Sequence, residues 1–250
     1  MNRYGLIGFP LTHSFSKKYF TEKFAAEGIP DSQYDLFELA SIEQFPDVLA
    51  QTDGLRGLNV TIPHKQAVLP FLDELDPQSA GRIGAVNTIK ITADGRKIGY
   101  NTDYYGFRQS LERWLAARSV APASLSALVL GNGGAAKAVT TALTDLRVAY
   151  RLVSRRATGP DFTYEQLTAE VLQHHRLVIN TSPVGTYPHV DEAPALPYDA
   201  LTPQHLLYDL VYNPAETLFL QQGAAAGAAT HNGLPMLHLQ AEKAWEIWQR

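Results

Sequence analysis

Ser126-Ala127-Leu128-Val129-Leu130-Gly131-Asn132-Gly133-Gly134-Ala135-Ala136-Lys137-Ala138 is the stretch that decides the fold. A short apolar run, read as a strand, passes directly into three glycines and then into small helix formers, read as a helix over Ala135–Leu143. Gly131, Gly133 and Ala136 meet the G-x-G-x-x-G/A spacing, with Asn132, Gly134 and Ala135 between them. A tight turn of this kind lets backbone N–H groups at a helix start reach a diphosphate. Glycine triplets alone are common in ordinary turns, and a glycine-rich helix cap is the bland alternative. The strand before and the helix after favour a dinucleotide site.

Working outward, the next strand, Ala149–Val153, runs into Ser154-Arg155-Arg156. A fold of this type that takes NAD places Asp or Glu here, to accept from the ribose 2′-hydroxyl. This chain offers a hydroxyl and two guanidinium groups instead. They suit a 2′-phosphate, and so NADP. Solvated surface arginines are the competing reading.

Strands and helices alternate through the rest of the chain, as α/β layers require. Before the glycine loop, strands are expected at Tyr4–Gly8, Gln33–Leu39 and Gly57–Val60. A helix is expected at Ser16–Glu27, and a hairpin joins Ala85–Thr92 to Lys97–Asn101 around Asp94-Gly95. A helix at Tyr105–Ala117 presents Phe107, Leu111, Trp114 and Leu115 on one face. Later strands fit Leu177–Asn180 and Leu206–Val211. The Ala-Gly tract at 223–229 reads as a helix end. A last helix, Pro235–Trp248, carries Leu237, Ala241, Ala244, Trp245 and Trp248 as its apolar stripe. Two lobes are expected: residues 1–103 plus 233–250 form an α/β substrate lobe, and 104–232 form a Rossmann-type doubly wound nucleotide lobe.

The 250 residues are 45% hydrophobic and 18% charged, which suits two modest globular domains. The formal charge of -4 argues against a nucleic-acid partner. No apolar run approaches the ~20 residues of a membrane helix. The opening Met1-Asn2-Arg3-Tyr4-Gly5 lacks the pattern of a secretory leader. There is no cysteine, so disulfides, thiolate metal sites and cysteine nucleophiles are excluded. The histidines, His13 and His174-His175 among them, show no metal-ligand spacing, so no metal is expected. A cytoplasmic protein acting on a small molecule, as monomer or homodimer, fits these features.

Several polar clusters precede the glycine loop. Ser14 and Ser16 lie two apart at a strand-to-helix junction. Ser16 is explained by capping; Ser14 is not needed for that, and the pair could hold a carboxylate. Asn59 and Thr61 alternate with Val60 and Ile62 and so share a face. Lys65 falls at a helix start, where the dipole opposes a cation, which points to function over stability. An exposed lysine is the plainer alternative. Asp103 stands at the junction between lobes, where it could simply cap the following helix.

Taken in order, Gly8–Ser16 (GFPLTHSFS), Asn59–Lys65 (NVTIPHK), Gly84–Thr88 (GAVNT), Gly99–Asp103 (GYNTD), Gly131–Ala138 (GNGGAAKA), Ile179–Gly185 (INTSPVG), Tyr208–Pro214 (YDLVYNP) and Asn232–Ala241 (NGLPMLHLQA) resemble the shikimate dehydrogenase family. The resemblance implies a cleft between a substrate lobe and an NADP lobe that takes shikimate or 3-dehydroshikimate. It implies that Ser14 and Ser16 hold the ring carboxylate. Asn59, Thr61, Asn87, Tyr212 and Gln240 would contact substrate, with Tyr212 near the nicotinamide. Lys65 and Asp103 would be the catalytic pair. Gly131, Asn132, Gly133, Gly134 and Ala135 would cradle phosphate. Ser154, Arg155 and Arg156 would meet the adenosine end, and Gly233 would lie near the nicotinamide. Lys17 replaces a proline common in the family, and Ser154 replaces its usual Asn.

Ketone reduction needs a hydride donor and a proton for the developing alkoxide. Lys65 and Asp103 are the groups offered for the proton, and sequence leaves open which carries it. Rival readings are an NAD-dependent quinate or dual quinate/shikimate dehydrogenase, opposed by Arg155 and Arg156, and a folate-type methylene dehydrogenase, which does not account for NVTIPHK and GYNTD together. From another class comes a non-catalytic dinucleotide-binding sensor, which has no need of Lys65 and Asp103.

Overall fold

The structure is a computed structural model that describes residues 1–11, 14–156, 159 and 161–250; Thr12 and His13 of the first motif lie outside the described residues. Along the chain come β1 (Asn2–Gly8), α1 (Phe15–Ala26), β2 (Ser32–Glu38), α2 (Phe45–Gln51), β3 (Leu55–Val60), α3 (His64–Ala67), β4 (Glu74–Leu75), α4 (Ala80–Ile83), β5 (Thr88–Ile91) and β6 (Lys97–Tyr100). There follow α5 (Thr102–Ala116), β7 (Ser126–Leu130), α6 (Gly134–Asp145), β8 (Ala149–Ser154), β9 (Phe162–Thr163), α7 (Ala169–His174), β10 (Leu177–Asn180), β11 (Leu206–Asp209), α8 (Leu218–Ala225), β12 (Ala229–His231) and α9 (Leu234–Gln249). These elements group into two compact units, Met1–Thr102 with Ala241–Arg250, and Asp103–Gln240.

The first unit holds a mixed sheet in the order β2-β1-β3-β5-β6-β4. β1 runs parallel to β2 and β3, while β3, β5 and β6 are antiparallel in turn. Gly95 takes φ +82 in the β5–β6 turn, the left-handed geometry expected of Asp94-Gly95. Alternation along β1 splits the core in two. Tyr4 and Leu6 join Phe20, Phe24, Tyr34, Ala244, Ile247 and Trp248. Ile7 joins Phe45, Leu58, Val60, Val86 and Ile89 in the other cluster. The end of α9 is keyed in by Trp248, whose Nε1–H donates to the Ile89 carbonyl at 3.0 Å. Its buried stripe is rotated from the expected one: Met236, Gln240 and Ile247 are buried with Ala241, Ala244 and Trp248. A buried polar residue, Gln240, disguises the period.

The second unit holds an all-parallel sheet in the order β12-β11-β10-β7-β8-β9. Counted from β7, that is the 3-2-1-4-5-6 order of a doubly wound nucleotide fold. The order reverses between β7 and β10, so a crevice is expected beyond their carboxyl ends. β7, β10 and β11 are buried almost throughout, as parallel strands covered on both faces must be. Leu128, Leu130, Val178, Leu207 and Phe219 form the centre of this core. β7 and β10 have the bounds the sequence predicts. β8 runs one residue further, to Ser154, and β11 stops at Asp209, two residues short of Val211. No helix among the described residues is long and apolar enough to cross a membrane.

Candidate functional site

In the first unit the candidate residues cluster in sequence just after the carboxyl ends of β1 and β3. α1 begins at Phe15, one residue earlier than predicted, and its N-cap is Ser14, not Ser16. The reason is backbone geometry: a cap residue is extended, and Ser14 has φ -96 and ψ 110. Ser14 Oγ accepts from the Lys17 N–H at 3.3 Å, which leaves its own proton to donate. Ser16 lies inside the first turn, half-buried.

Asn59 is buried at the end of β3. Its Nδ2 donates to the Asn87 carbonyl (3.3 Å) and to Thr88 Oγ1 (3.2 Å), and its Oδ1 accepts from the Tyr34 hydroxyl (2.7 Å). Both amide hydrogens are therefore committed, and any ligand contact falls to the second lone pair of Oδ1. Burial drives the Tyr34 phenol far above its ordinary range, against a weaker lowering by a hydrogen bond with Ser16. Asn87 Oδ1 accepts from the Thr102 N–H at 2.6 Å and from Thr102 Oγ1 at 3.1 Å. The network thus runs from Tyr34 through Asn59 and Asn87 to Thr102, the residue before Asp103.

Thr61 lies one residue past β3. Its N–H donates to the Ile7 carbonyl and its own carbonyl accepts from the His64 N–H, both at 2.9 Å. His64 is buried and its Nε2 donates to the Leu39 carbonyl at 2.6 Å, which holds α3 in place. Lys65, half-buried, follows it in α3, and its carbonyl accepts from the Val86 N–H at 2.8 Å. Lys65 is therefore carried on backbone fixed from both sides. Asp103, Tyr212 and Gln240 belong to the second unit. Asp103 sits within the first turn of α5, not at its cap; α5 starts three residues earlier than predicted. A carboxylate there is favoured by the helix dipole. Tyr212 is exposed after β11, and buried Gln240 donates from Nε2 to the Leu237 carbonyl at 3.1 Å.

The glycine loop has the geometry a diphosphate needs. Gly131 has φ +111, and a Cβ there would lie 2.9 Å from Thr181 Oγ1, so only glycine fits. Gly133 is the N-cap of α6 and supplies no side chain to the leading N–H groups. A Cβ at Gly133 or Gly134 would meet nothing within 4 Å. Exposed Asn132 precedes this opening and Ala135 follows it; Ala136 is buried, where close helix–sheet packing requires a small residue. The chain's own groups therefore fit the diphosphate of a dinucleotide.

At the end of β8, Ser154 is buried and its Oγ donates to the Arg156 carbonyl at 2.7 Å. That bond shapes the turn and uses the hydroxyl proton internally. Arg155 and Arg156 are exposed. Burial raises the Tyr164 phenol while the charge of Arg155 opposes it. Two open guanidinium groups with no Asp or Glu among residues 153–156 fit a 2′-phosphate. Gly233 is packed so that a Cβ would stand 2.0 Å from the Leu210 carbonyl oxygen. Among the described residues no three His, Asp or Glu side chains gather to hold a metal ion.

Sequence reasoning passed over Tyr34, Thr88 and Thr102, whose hydroxyls are invisible to periodicity. In the second unit it quoted the INTSPVG and YDLVYNP motifs but assigned nothing to Asn180 or Asp209. Asp209, fully buried, has its carboxyl raised to about 6 because burial outweighs its hydrogen bonds with Thr217, Val211 and Asn180. The available signal was an acid inside an apolar run, Leu206–Val211.

Residues 6–89 match the family model described as the shikimate dehydrogenase substrate binding domain. The chain is 41% identical over 259 residues to the shikimate dehydrogenase (NADP(+)) of Clostridium beijerinckii, covering 100% of this chain and 92% of that protein. Shikimate 5-dehydrogenase from Thermus thermophilus, solved with NADP(H) and shikimate, is similar with TM-score 0.84 and 32% identity, over 99% of this chain and 93% of that one. Quinate dehydrogenase from Corynebacterium glutamicum, solved with NAD, is similar with TM-score 0.86 and 28% identity, over 99% and 93%.

Proposed function

The chain belongs to the shikimate dehydrogenase family, and from that premise we propose how its residues divide the work. It is an NADP-dependent oxidoreductase of shikimate. The reaction is the reversible reduction of 3-dehydroshikimate to shikimate. Bound NADPH supplies the hydride. Lys65 and Asp103 serve the proton step, Lys65 by setting a cation against the developing alkoxide. Ser14 and Ser16 take the ring carboxylate; Asn59, Thr61, Asn87, Tyr212 and Gln240 take the ring hydroxyls or edges. The N–H groups from Gly131 to Ala135 take the diphosphate, Arg155 and Arg156 with Ser154 take the 2′-phosphate, and Gly233 lets the backbone close against Leu210 at the nicotinamide end. Substrate belongs chiefly to residues 1–103 with 233–250 and nucleotide to 104–232, although Asp103 and Gln240 fall in the second compact unit. The protein works in the cytoplasm as a monomer or homodimer, without nucleic acid or membrane.

The observation that carries the NADP half is the side-chain-free start of α6, followed at the end of β8 by two exposed guanidinium groups. The test is absorbance of the reduced nicotinamide with shikimate or quinate, each with NADP or NAD. The highest kcat/KM is expected for shikimate with NADP. Equal or better performance with quinate and NAD overturns the reading in favour of the quinate enzyme.

A further inference from the structure

Asp209 closes β11 with its side chain wholly inside the second unit. Three donors from three segments converge on it. Asn180 Nδ2 reaches Oδ1 at 3.0 Å from the end of β10, and the Val211 N–H reaches the same oxygen at 3.0 Å. Thr217 Oγ1, the N-cap of α8, donates to Oδ2 at 2.6 Å. Among the described residues no cation acts on this carboxylate. An ionised carboxylate only accepts, so it dictates the polarity of everything around it.

The consequence passes along Asn180. Nδ2 faces Asp209 and, at 3.4 Å, the Val184 carbonyl, so Oδ1 faces the other way, where it accepts from the Ser182 N–H (3.0 Å) and from Ser182 Oγ (2.7 Å). Between them Thr181 donates twice to the Leu130 carbonyl, from N at 3.0 Å and from Oγ1 at 2.8 Å. The same Thr181 Oγ1 is the atom that stands against Gly131. The segment after β11 is held too: Leu210 N–H donates to the Asn180 carbonyl at 2.9 Å, and the Leu210 carbonyl is the group that crowds Gly233.

We propose that Asp209 is a positioning residue for the nucleotide: as an ionised acceptor it fixes the amide of Asn180 and, through Thr181 and Ser182, the loop that backs the glycine turn, together with the segment that carries Tyr212 and abuts Gly233. It touches no ligand itself. The inference rests on the NADP reading above. It deepens that reading by making the shape of the phosphate loop depend on one buried charge. Burial raises this carboxyl to about 6, so it protonates as pH falls through that value. The titratable group its charge reaches is the Tyr198 phenol, itself raised by burial first and then by Asp209, and so protonated throughout the same window.

Asp209→Asn keeps the shape and removes the charge, so it mimics the protonated wild type. The KM for NADP of the variant should exceed that of wild type about tenfold near pH 8, the equivalent of one charge-assisted hydrogen bond. The KM for shikimate should rise less, through Tyr212 alone. The variant-to-wild-type ratio should fall toward one near pH 5, as the wild type becomes protonated. Taking the ratio removes the 2′-phosphate's own titration near pH 6. A ratio that does not change with pH, or an equal rise in both KM values, overturns the proposal. If Asp209→Asn does not fold by circular dichroism, the wild type decides with NAD, which has no 2′-phosphate to titrate: its affinity for NAD should fall as pH drops through about 6 while that for shikimate changes less, and an NAD affinity that stays level overturns the proposal. Calorimetric titration of wild type with NADP separates the two claims. No binding by wild type sinks the cofactor reading, whereas equal binding by wild type and Asp209→Asn sinks only the role of Asp209.

Discussion

Asn59 spends both amide hydrogens on Asn87 and Thr88 and its oxygen on Tyr34, whereas Gly133, at the head of α6, has no side chain to spend. The first unit prepares its site with side chains whose polar atoms are already paired among themselves. The second prepares it with bare backbone, supported from behind by Thr181. The difference follows from the ligands. A ring bearing several hydroxyls must be told from its stereoisomers, which takes fixed donors and acceptors. A diphosphate is common to all dinucleotides, so N–H groups at a helix end suffice, and on the proposed reading discrimination moves to Arg155 and Arg156.

The largest effect expected is at the cation that the NVTIPHK motif carries. Lys65→Ala should lower kcat by about 10²–10⁴-fold, the range for a positioned acid–base group. Shikimate binding should largely survive, since Asn59 and Asn87 are held by Tyr34, Thr88 and Thr102, which the substitution leaves in place. Steady-state kinetics beside a direct binding titration check this. Near-normal turnover removes Lys65 from the chemistry and leaves the proton step to Asp103, which belongs to the second unit.

Next in size is cofactor choice. Arg155→Ala should cut the NADP-over-NAD preference in kcat/KM by about tenfold to a hundredfold, since charge-assisted hydrogen bonds contribute roughly 1.5–3 kcal/mol each. Arg155 is exposed, so the melting temperature should not move. Full discrimination in the variant would shift the role to Arg156. A fall in shikimate affinity would erase the division between units.

What the sequence revealed follows the same division. β7 was legible to the residue because a five-residue apolar strand ended abruptly at Gly131, and a left-handed, crowded glycine leaves a signature in composition. The strand end that precedes Arg155 and Arg156 was legible to within one residue. The paired network was not. A buried tyrosine hydroxyl looks like any aromatic core residue, and Tyr34 is also stacked on Phe20 at 4.8 Å. Asp209 stood inside a predicted strand, but nothing in the sequence shows the three donors that hold it. Edge strands of two or three residues, β4, β9 and β12, are too short for alternation to register. The start of α1 was misjudged because either serine could cap it, and only the backbone angles distinguish them.

That distinction makes the two serines unequal. Ser14→Ala and Ser16→Ala should each weaken shikimate by about 1–2 kcal/mol if each donates to the carboxylate. Ser14→Ala should also lose its cap, worth about 0.5–2 kcal/mol of stability. Ser16→Ala should lower the melting temperature for a different reason, the loss of its hydrogen bond with the buried Tyr34 phenol. Calorimetry for binding and thermal melts for stability separate the two effects. An equal loss of NADP affinity in either variant would mean the serines do not belong to the substrate at all.

The smallest effect expected on turnover belongs to Tyr34. Tyr34→Phe removes the donor that Asn59 Oδ1 receives at 2.7 Å, and the hydrogen bond with Ser16, at nearly constant volume. The stacked ring on Phe20 remains. A buried acceptor without a donor costs about 1–3 kcal/mol, so the melting temperature should fall. The amide cannot relieve the loss by flipping, because its Nδ2 is needed by the Asn87 carbonyl, which only accepts. Asn59 therefore stays in register but is held from one side. The KM for shikimate should rise about threefold to tenfold, with kcat and the KM for NADP unchanged. A lowered melting temperature with all three kinetic parameters intact would show that the network serves only the core. Recovery of the KM in Tyr34→His is not expected, since an imidazole cannot place a donor at the phenol's oxygen position. A rise in the KM for NADP would be the more damaging result, because the prepared side chains of the first unit would then be shaping the nucleotide site as well.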